Sequence, residues 1–155
     1  MKKIIILPLL LLVTGCSIIN CSNKSIISDM KINNNTCEIV KEKDTHTGFL
    51  GDGDYFAKIK CNNLKVSDLT KSWYILPLSE ELKEVTEIKQ CNSKDCKNIY
   101  ERYNIPTIDN GYYYFLDRHP DAKDNKNINE RSSYNFTLAI ADLDNSVIYY
   151  YELDT

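Results

Sequence analysis

Alternating apolar and polar positions in the last third of the chain predict a β-hairpin. Residues 134–141 alternate strictly, and residues 147–153 repeat the pattern after an Asp144-Asn145-Ser146 turn. The apolar positions of the two runs share one face: Tyr134, Phe136, Leu138, Ile140, Val147, Tyr149, Tyr151 and Leu153. Because side chains of a strand point alternately to opposite faces, we expect this face to lie against the hydrophobic core.

Two further runs predict strands of the same sheet. Residues 54–61 alternate, with Ile59 and Cys61 on the apolar side and Lys58 and Lys60 on the other. Residues 111–116 are rich in tyrosine and follow a turn sequence of aspartate, asparagine and glycine. Together with the hairpin, these runs predict an antiparallel sheet of about four strands.

Helix signals lie between the predicted strands. Ser67 or Asp68 can cap a short helix that runs to Trp73, and Ser79 can cap a second, amphipathic helix. One or two further turns are predicted within residues 93–103. The predicted fold class is therefore α+β: a small antiparallel sheet of about four strands with two or three short helices packed on one face.

The first sixteen residues have the organisation of an export signal. Lys2 and Lys3 precede an apolar run over residues 4–13, whereas a helix needs about 20 residues to cross a membrane. The run ends in Val13-Thr14-Gly15-Cys16, which resembles the lipobox of bacterial lipoproteins. The resemblance implies removal of residues 1–15, attachment of diacylglycerol and an acyl chain such as palmitate to Cys16, and permanent anchoring in a membrane.

The same resemblance bears on localisation. Ser17 follows the lipidated cysteine, where an aspartate commonly retains such lipoproteins in the inner membrane of Gram-negative enteric bacteria. We therefore expect a cell-envelope lipoprotein, in the outer membrane facing the periplasm if the cell has two membranes. The alternative is an ordinary secretory signal cleaved elsewhere, with Cys16 as a bystander.

The exported part of the chain divides into a tether and a domain. Residues 16–35 are rich in asparagine and serine and have no sustained period, which predicts a flexible tether. Residues 36–155 contain neither a repeat of 20–50 residues nor a second linker, so they are expected to form one globular domain.

The amino-acid composition of the chain limits the classes of function that we expect. The chain has 155 residues, 43% of them hydrophobic, with 19 basic against 22 acidic side chains and a formal net charge of −3. It therefore has no broad basic surface for a phosphate backbone, and nucleic acid is not an expected partner. Nine of the eleven tyrosines occur at or after Tyr100, which gives the predicted sheet large apolar rings that carry polar hydroxyls.

Cysteine usage predicts disulfides in an oxidising compartment. Cys91 and Cys96 are separated by four residues, which suits a local bridge across a turn, and Cys37 with Cys61 can tie the start of the domain to its first predicted strand. Closing the larger loop is worth about 3 kcal/mol. Once the lipid-bearing cysteine is set aside, Cys21 is left without a partner.

Neither a metal nor a cofactor is predicted. Cys-x-x-Cys is absent, and His46 and His119 lie far from the cysteines in sequence, which disfavours zinc. Residues 51–54 and 142–146 resemble the start of a calcium loop, but neither segment completes the template. Turn formation by aspartate and asparagine explains both segments.

The long segment 117–131 carries the strongest candidate chemistry. His119 lies between Asp117 and Asp121, an arrangement that can orient a general base. The exported part contains none of the common nucleophile, metalloprotease or phosphate-loop motifs, so a solvated loop is favoured over an active site. On the enzyme interpretation, either Arg118 or Arg131 would hold an anion.

The leading hypothesis is a non-enzymatic, lipid-anchored envelope protein that binds or inhibits another envelope protein. Binding would use the tyrosine-rich sheet, its edge strand or the 117–131 loop. The candidate interaction residues are Tyr113, Arg118, His119, Arg131 and Tyr150. The alternatives are a periplasmic enzyme that uses His119 and a lipoprotein that binds a small ligand or a metal.

Overall fold

The computed structural model describes residues 26–32, 36–46, 51–91, 95–124 and 127–155. The predicted signal peptide, Cys16 and Cys21 lie outside these ranges. Within them, no helix combines the length and the apolar character that a membrane crossing requires.

Six of the strands in the described residues form one antiparallel sheet with the order β1-β2-β8-β7-β6-β3. A separate two-stranded hairpin pairs β4 with β5. The strand bounds are β1 Cys37–Asp44, β2 Gly53–Cys61, β3 Trp73–Ile75, β4 Gln90–Cys91, β5 Cys96–Lys97, β6 Gly111–Asp117, β7 Asn135–Asp142 and β8 Val147–Asp154. The helices are α1 Glu80–Glu87 and α2 Ile99–Tyr103, with 3-10 turns at Val66–Asp68, Pro120–Asp124 and Ile128–Glu130.

The predicted mixture of helices and strands is confirmed, but the predicted number of strands is too low. The sheet has six strands instead of about four, because β1 and β3 join it at its two sides. Neither was predicted as a strand: β1 is mostly polar, and β3 has only three residues.

The predicted C-terminal hairpin is confirmed as β7 and β8. In the turn, the Asp142 carboxylate accepts hydrogen bonds from the backbone and side-chain nitrogens of Asn145, at 3.0 and 2.8 Å. The predicted apolar face contributes seven buried side chains to the main core: Phe136, Leu138, Ile140, Val147, Tyr149, Tyr151 and Leu153. Tyr134 packs against the same core and is only partly buried.

One of the predicted helices is confirmed and another is wrong. Ser79 caps α1 by accepting a hydrogen bond from the Leu82 backbone nitrogen, and Leu82 and Val85 are buried against the sheet. The helix predicted to run to Trp73 is instead a single 3-10 turn, and Trp73 begins β3. A three-residue strand is too short to show the alternation that identifies a strand in a sequence.

Both faces of the sheet are covered, not one. The helices lie on the first face, and residues 26–32, which we call the strap, lie on the second. The strap begins with a helical turn, and Ile26, Met30 and Ile32 are buried against β2, β7 and β8. These residues belong to the stretch predicted as a flexible tether, and here they pack on the domain.

The two predicted disulfides are confirmed. Cys37 lies directly opposite Cys61 in the register of β1 and β2, and Cys91 lies opposite Cys96 in β4 and β5. The Cα atoms are 4.0 Å apart in both pairs. One bridge therefore fastens an outer strand of the main sheet, and the other closes the small hairpin.

Candidate functional site

The sheet ends in two outer strands of different character. Five of the eight residues of β1 are charged, and its pairing with β2 shifts between Ile39 and Lys41. β3 has no charged residue, and Tyr74 and Ile75 are 57% and 69% exposed. Charges and bulges protect sheet edges against pairing with other chains. β3 lacks both, which makes it the candidate binding strand.

β6 extends this edge beyond β3. β3 pairs only with Tyr112, Tyr113 and Tyr114, whereas β6 continues to Asp117. Leu116, within this continuation, is exposed. We call β3 together with residues 115–117 of β6 the binding edge.

The ladder between β3 and β6 determines which backbone groups point outward. The Leu76 backbone nitrogen donates to the Gly111 carbonyl oxygen at 3.1 Å, so Leu76 and Tyr74 direct their backbone groups toward β6. Trp73 and Ile75 therefore direct theirs away from the sheet. The Trp73 nitrogen donates to the Thr70 carbonyl at 3.1 Å, which leaves Ile75 to present a donor and an acceptor to an incoming strand.

A groove of about 300 Å³ runs beside the binding edge on the helix-covered face. We call it the edge groove. Its apolar walls come from β3, β6, α1 and the Ile128–Glu130 turn: Tyr74, Tyr113, Phe115, Leu82 and Ile128. The rings of Tyr74 and Tyr113 lie 5.5 Å apart, so neighbouring strands build one aromatic wall. The groove can accept a large apolar side chain.

The polar residues at one end of the edge groove are held by contacts within the protein. The Arg131 guanidinium is almost fully buried and pairs with the Asp117 carboxylate at 2.6 Å. The Ile128 backbone nitrogen donates to the Glu81 carboxylate at 3.1 Å, which ties the turn to α1. These contacts fix the shape of the groove, since breaking a buried pair by removing one partner is costly.

The structure brings together two of the five predicted interaction residues and separates the rest. Tyr113 and Arg131 both line the edge groove. Arg118 pairs with Asp154 at 3.0 Å and donates to the Phe136 carbonyl at 3.1 Å. Tyr150 is 2% exposed, which corrects its assignment as an interaction residue: β8 is buried on both faces, and this ring lies in the core under the strap.

The ring of His119 is held by local contacts, and its backbone nitrogen donates to the Asp117 carboxylate at 3.0 Å. Its Nδ1 accepts a hydrogen bond from the Asp121 backbone nitrogen at 3.1 Å, and its Nε2 lies 3.0 Å from the Ser133 hydroxyl. A neutral ring in this setting carries its proton on Nε2 and donates to Ser133. The Asp117 carboxylate pairs with Arg131, and Asp121 Oδ2 is 3.9 Å from Nδ1. The ring therefore fixes the loop in position.

A buried carboxylate in β2, on the helix-covered face and near the β1 edge, was not predicted. Asp54 is 2% exposed and accepts hydrogen bonds from Thr45, from Tyr103 at 2.6 Å and from Arg102 at 3.1 Å. Burial, together with this hydrogen bond to Asp54, raises the pKa of Tyr103. The sequence shows Asp54 only as the start of a strand, and nothing in the pattern predicts its partners.

A polar cleft of about 490 Å³ lies above this carboxylate. Three cationic side chains line it: Lys43, Lys97 and Arg102. Arg102 pairs with Asp54 and Lys97 pairs with Asp95 at 2.6 Å, so much of the positive charge is already balanced.

His46 fastens the end of β1 to β8. Its Nδ1 lies 2.6 Å from the Asp44 carboxylate and its Nε2 lies 3.2 Å from the Asp154 carboxylate. Burial lowers the pKa of His46, but the hydrogen bonds to Asp44 and Asp154 outweigh it, and the net shift is upward. Only the protonated imidazolium donates from both nitrogens, so this contact is complete when His46 is charged.

The structure also bears on the two alternatives of a small-ligand site and a metal site. An apolar cavity of about 360 Å³ lies between α1 and residues 105–108, with Leu78, Tyr100 and Ile140 among its walls. In the part of the chain that the structure describes, no group of three or more histidine, cysteine, aspartate or glutamate side chains is placed to hold a metal ion.

The chain was compared with known proteins at three levels. Neither the family models, nor the curated proteins, nor the solved structures contain a match.

Proposed function

We propose that this protein is a non-enzymatic, lipid-anchored envelope protein that binds an extended segment of another envelope protein at the binding edge. The observation that carries the proposal is the exposure of Tyr74 and Ile75, 57% and 69%, on an outer strand without charges. The other outer strand of the same sheet carries five charges and a register shift, so an unprotected edge is not general to this fold.

Strand addition gives this edge two separate sources of binding energy. The outward backbone groups of Ile75 pair with the incoming main chain, and alternate side chains of the segment enter the edge groove. The aromatic and aliphatic walls of the groove favour an aromatic or large aliphatic side chain. The expected partner segment is therefore extended and uncharged, with apolar residues at alternate positions.

Pairing at this edge is limited in length. β3 has three residues, and Pro77 follows two residues after it. Proline has no backbone N–H to donate to a neighbouring strand. The edge therefore suits a short segment of a folded partner better than continuous pairing between many chains.

The proposed lipid on Cys16 sets the distance between the binding edge and the membrane. Residues 17–25 separate that cysteine from the strap and, fully extended, reach about 30 Å. The strap thus keeps the domain nearer the bilayer than the whole 16–35 stretch would. In a cell with two membranes, we place the protein in the outer membrane facing the periplasm, where a partner in the same envelope meets it at high local concentration.

Affinity capture from detergent-solubilised envelopes tests the proposed function. The bait is the full-length protein, compared with Ile75→Lys and with Val40→Lys, which alters an exposed apolar residue of β1. Quantitative mass spectrometry should find a protein whose recovery falls at least tenfold with Ile75→Lys and is unchanged with Val40→Lys. Equal recovery of every captured protein by all three baits would contradict the proposal.

The lipid anchor has its own test. Mass spectrometry of the mature protein should show acylation at Cys16, and Cys16→Ser should abolish processing and move the protein out of the detergent phase. Unchanged processing and partitioning in Cys16→Ser would contradict the proposed membrane anchoring. It would not contradict the proposed binding at the binding edge.

A further inference from the structure

The strap fits a depression in the second face of the sheet. β2 and β7 contribute alanines at its centre, Ala57, Ala139 and Ala141, all fully buried. Small side chains leave room above a sheet, and Met30 of the strap, at 0% exposure, belongs to the same cluster. The strap is therefore an integral part of this face of the core.

The side chain of Trp73 joins the strap to the binding edge. The Trp73 indole nitrogen donates to the Met30 carbonyl oxygen at 3.0 Å in a buried hydrogen bond. Trp73 is also the first residue of β3, and its ring lies 5.8 Å from that of Tyr114 in β6. The two residues that follow it, Tyr74 and Ile75, are those proposed to contact the partner.

We propose that the docked strap holds β3 in place, so that the binding edge is formed only while residues 26–32 lie on the second face. Met30 and Trp73 are then positioning residues for partner binding, and the inference rests on the proposed function for its biological role. Its physical basis is the shortness of β3, which pairs with only three residues of β6. So short a strand depends on its side-chain anchors more than a long one does.

Because of this arrangement, displacement of the strap would change the structure of the binding edge. The strap is the first described part of the chain after the proposed anchor at Cys16. Tension on the N-terminal segment, or a competing apolar peptide on the second face, would withdraw Met30 before it disturbed β7 or β8. Release of Trp73 would then free β3 from β6 and lower affinity for the partner.

Native-state hydrogen exchange of the full chain tests the coupling without any partner. The reporter is the Leu76 amide, which donates to Gly111 at the end of β3, and the reference amides are those of β7 and β8. In Met30→Ala, Leu76 exchange should rise about tenfold or more beyond any change in the reference amides. Leu138→Ala, a truncation in the core on the first face and away from the strap, should change Leu76 and the reference amides together.

Two further variants keep the test decisive if Met30→Ala unfolds. Trp73→Phe removes the indole donor but keeps an aromatic ring, and should also raise Leu76 exchange selectively. Met30→Leu keeps most of the apolar volume and should restore protection. Trp73, the sole tryptophan of the sequence, should emit at longer wavelength in Met30→Ala than in Met30→Leu.

The proposal is overturned if Leu76 exchange follows the reference amides in both Met30→Ala and Trp73→Phe. That result would leave partner capture through Ile75 untouched. Conversely, selective loss of Leu76 protection with no partner lost in Ile75→Lys would support the coupling and contradict the proposed function. The two outcomes are therefore separable.

Discussion

β1 and β3 close the same sheet, yet they differ in length, charge and fastening. β1 has eight residues, a disulfide at its first residue and the His46 contacts just after its last. β3 has three residues, no disulfide and no charge, and it is held from the second face through Trp73. The chain therefore protects one edge by several means and leaves the other apolar and exposed.

This difference between the two outer strands indicates where on the sheet to look for a function. A sheet edge without protective charges is an aggregation risk for a protein that never uses it. β1 carries protective charges and a register shift, and β3 has neither. We take this difference as support for the proposed binding role of β3. Substitutions at the two edges are expected to separate the structural role of β1 from the proposed binding role of β3.

The largest expected loss of stability follows removal of the disulfide that joins β1 to β2. Cys37→Ser with Cys61→Ser removes a bridge between residues 24 apart in sequence, and the free energy of unfolding should fall by about 3.5 kcal/mol. The matched pair, Cys91→Ser with Cys96→Ser, opens a loop of only 5 residues and should cost about 2 kcal/mol. Urea titrations followed by circular dichroism measure both. A larger loss for the shorter loop would contradict the role assigned to β1.

The next largest loss of stability is expected from alanine substitutions at two glycines, one near each edge of the sheet. A Cβ on Gly111 would lie 2.3 Å from the Ala141 carbonyl oxygen, so Gly111→Ala should cost about 3 kcal/mol and displace Leu76 and β3 with it. A Cβ on Gly53 would meet the His46 backbone at 2.6 Å, and Gly53→Ala should cost about 2 kcal/mol.

Partner capture separates these two variants. Under conditions where both remain folded, Gly111→Ala should lose partner capture and Gly53→Ala should retain it. Loss of capture in both, or in neither, would show that the glycine substitutions do not distinguish the two edges.

A smaller effect concerns the binding edge itself. Ile75→Lys should leave the free energy of unfolding within about 0.5 kcal/mol of the parent, because the side chain is exposed. The same change should weaken partner binding at least tenfold, or about 1.4 kcal/mol. Isothermal titration with the captured partner measures the second quantity, and Val40→Lys serves as its control. A stability loss as large as the binding loss would mean that Ile75 is structural.

The smallest expected effect is a pH-dependent change in the free energy of unfolding, caused by His46 at the end of β1. Because the pKa of His46 is raised above the ordinary histidine value of 6.5, its contacts stabilise the fold fully below that value, and the contribution is lost as the pH rises through the raised pKa. His46→Gln should therefore be less stable than the parent by about 0.5–1 kcal/mol at pH 5 and nearly equal to it at pH 9. Urea titrations at the two pH values check the sign. A difference that grows with pH would refute the charged form of His46.

Sequence alone predicts the parts of this fold in which the pattern is long and local. The hairpin of β7 and β8, the Ser79 cap and the Cys91–Cys96 bridge each depend on residues close together in the chain. The Cys37–Cys61 bridge is predicted as well, because Cys37 lies at the start of the predicted domain and Cys61 ends its first predicted strand.

The parts that sequence misses depend on contacts between distant residues. β1 is recognisable only from its pairing with β2, and β3 only from its pairing with β6. The strap residue Met30 lies in a stretch rich in asparagine and serine, and its burial follows from the alanines of β2 and β7. Of the residues at the binding edge and its groove, the sequence predicts Tyr113 and Arg131 as interaction candidates. Tyr74 and Ile75 lie in the apolar run 73–78, which can form a docking patch but is more often typical of a core.

Site-specific photo-cross-linking in living cells tests the central claim most directly. A photoreactive amino acid is placed at residue 75 in one version of the full-length protein and at residue 40 in another. The account predicts one discrete adduct from residue 75, formed at a contact with an envelope protein, that disappears when Met30→Ala is added, and no such adduct from residue 40. Identical adducts from both residues, or none from residue 75, would contradict the claim that β3 is the binding strand.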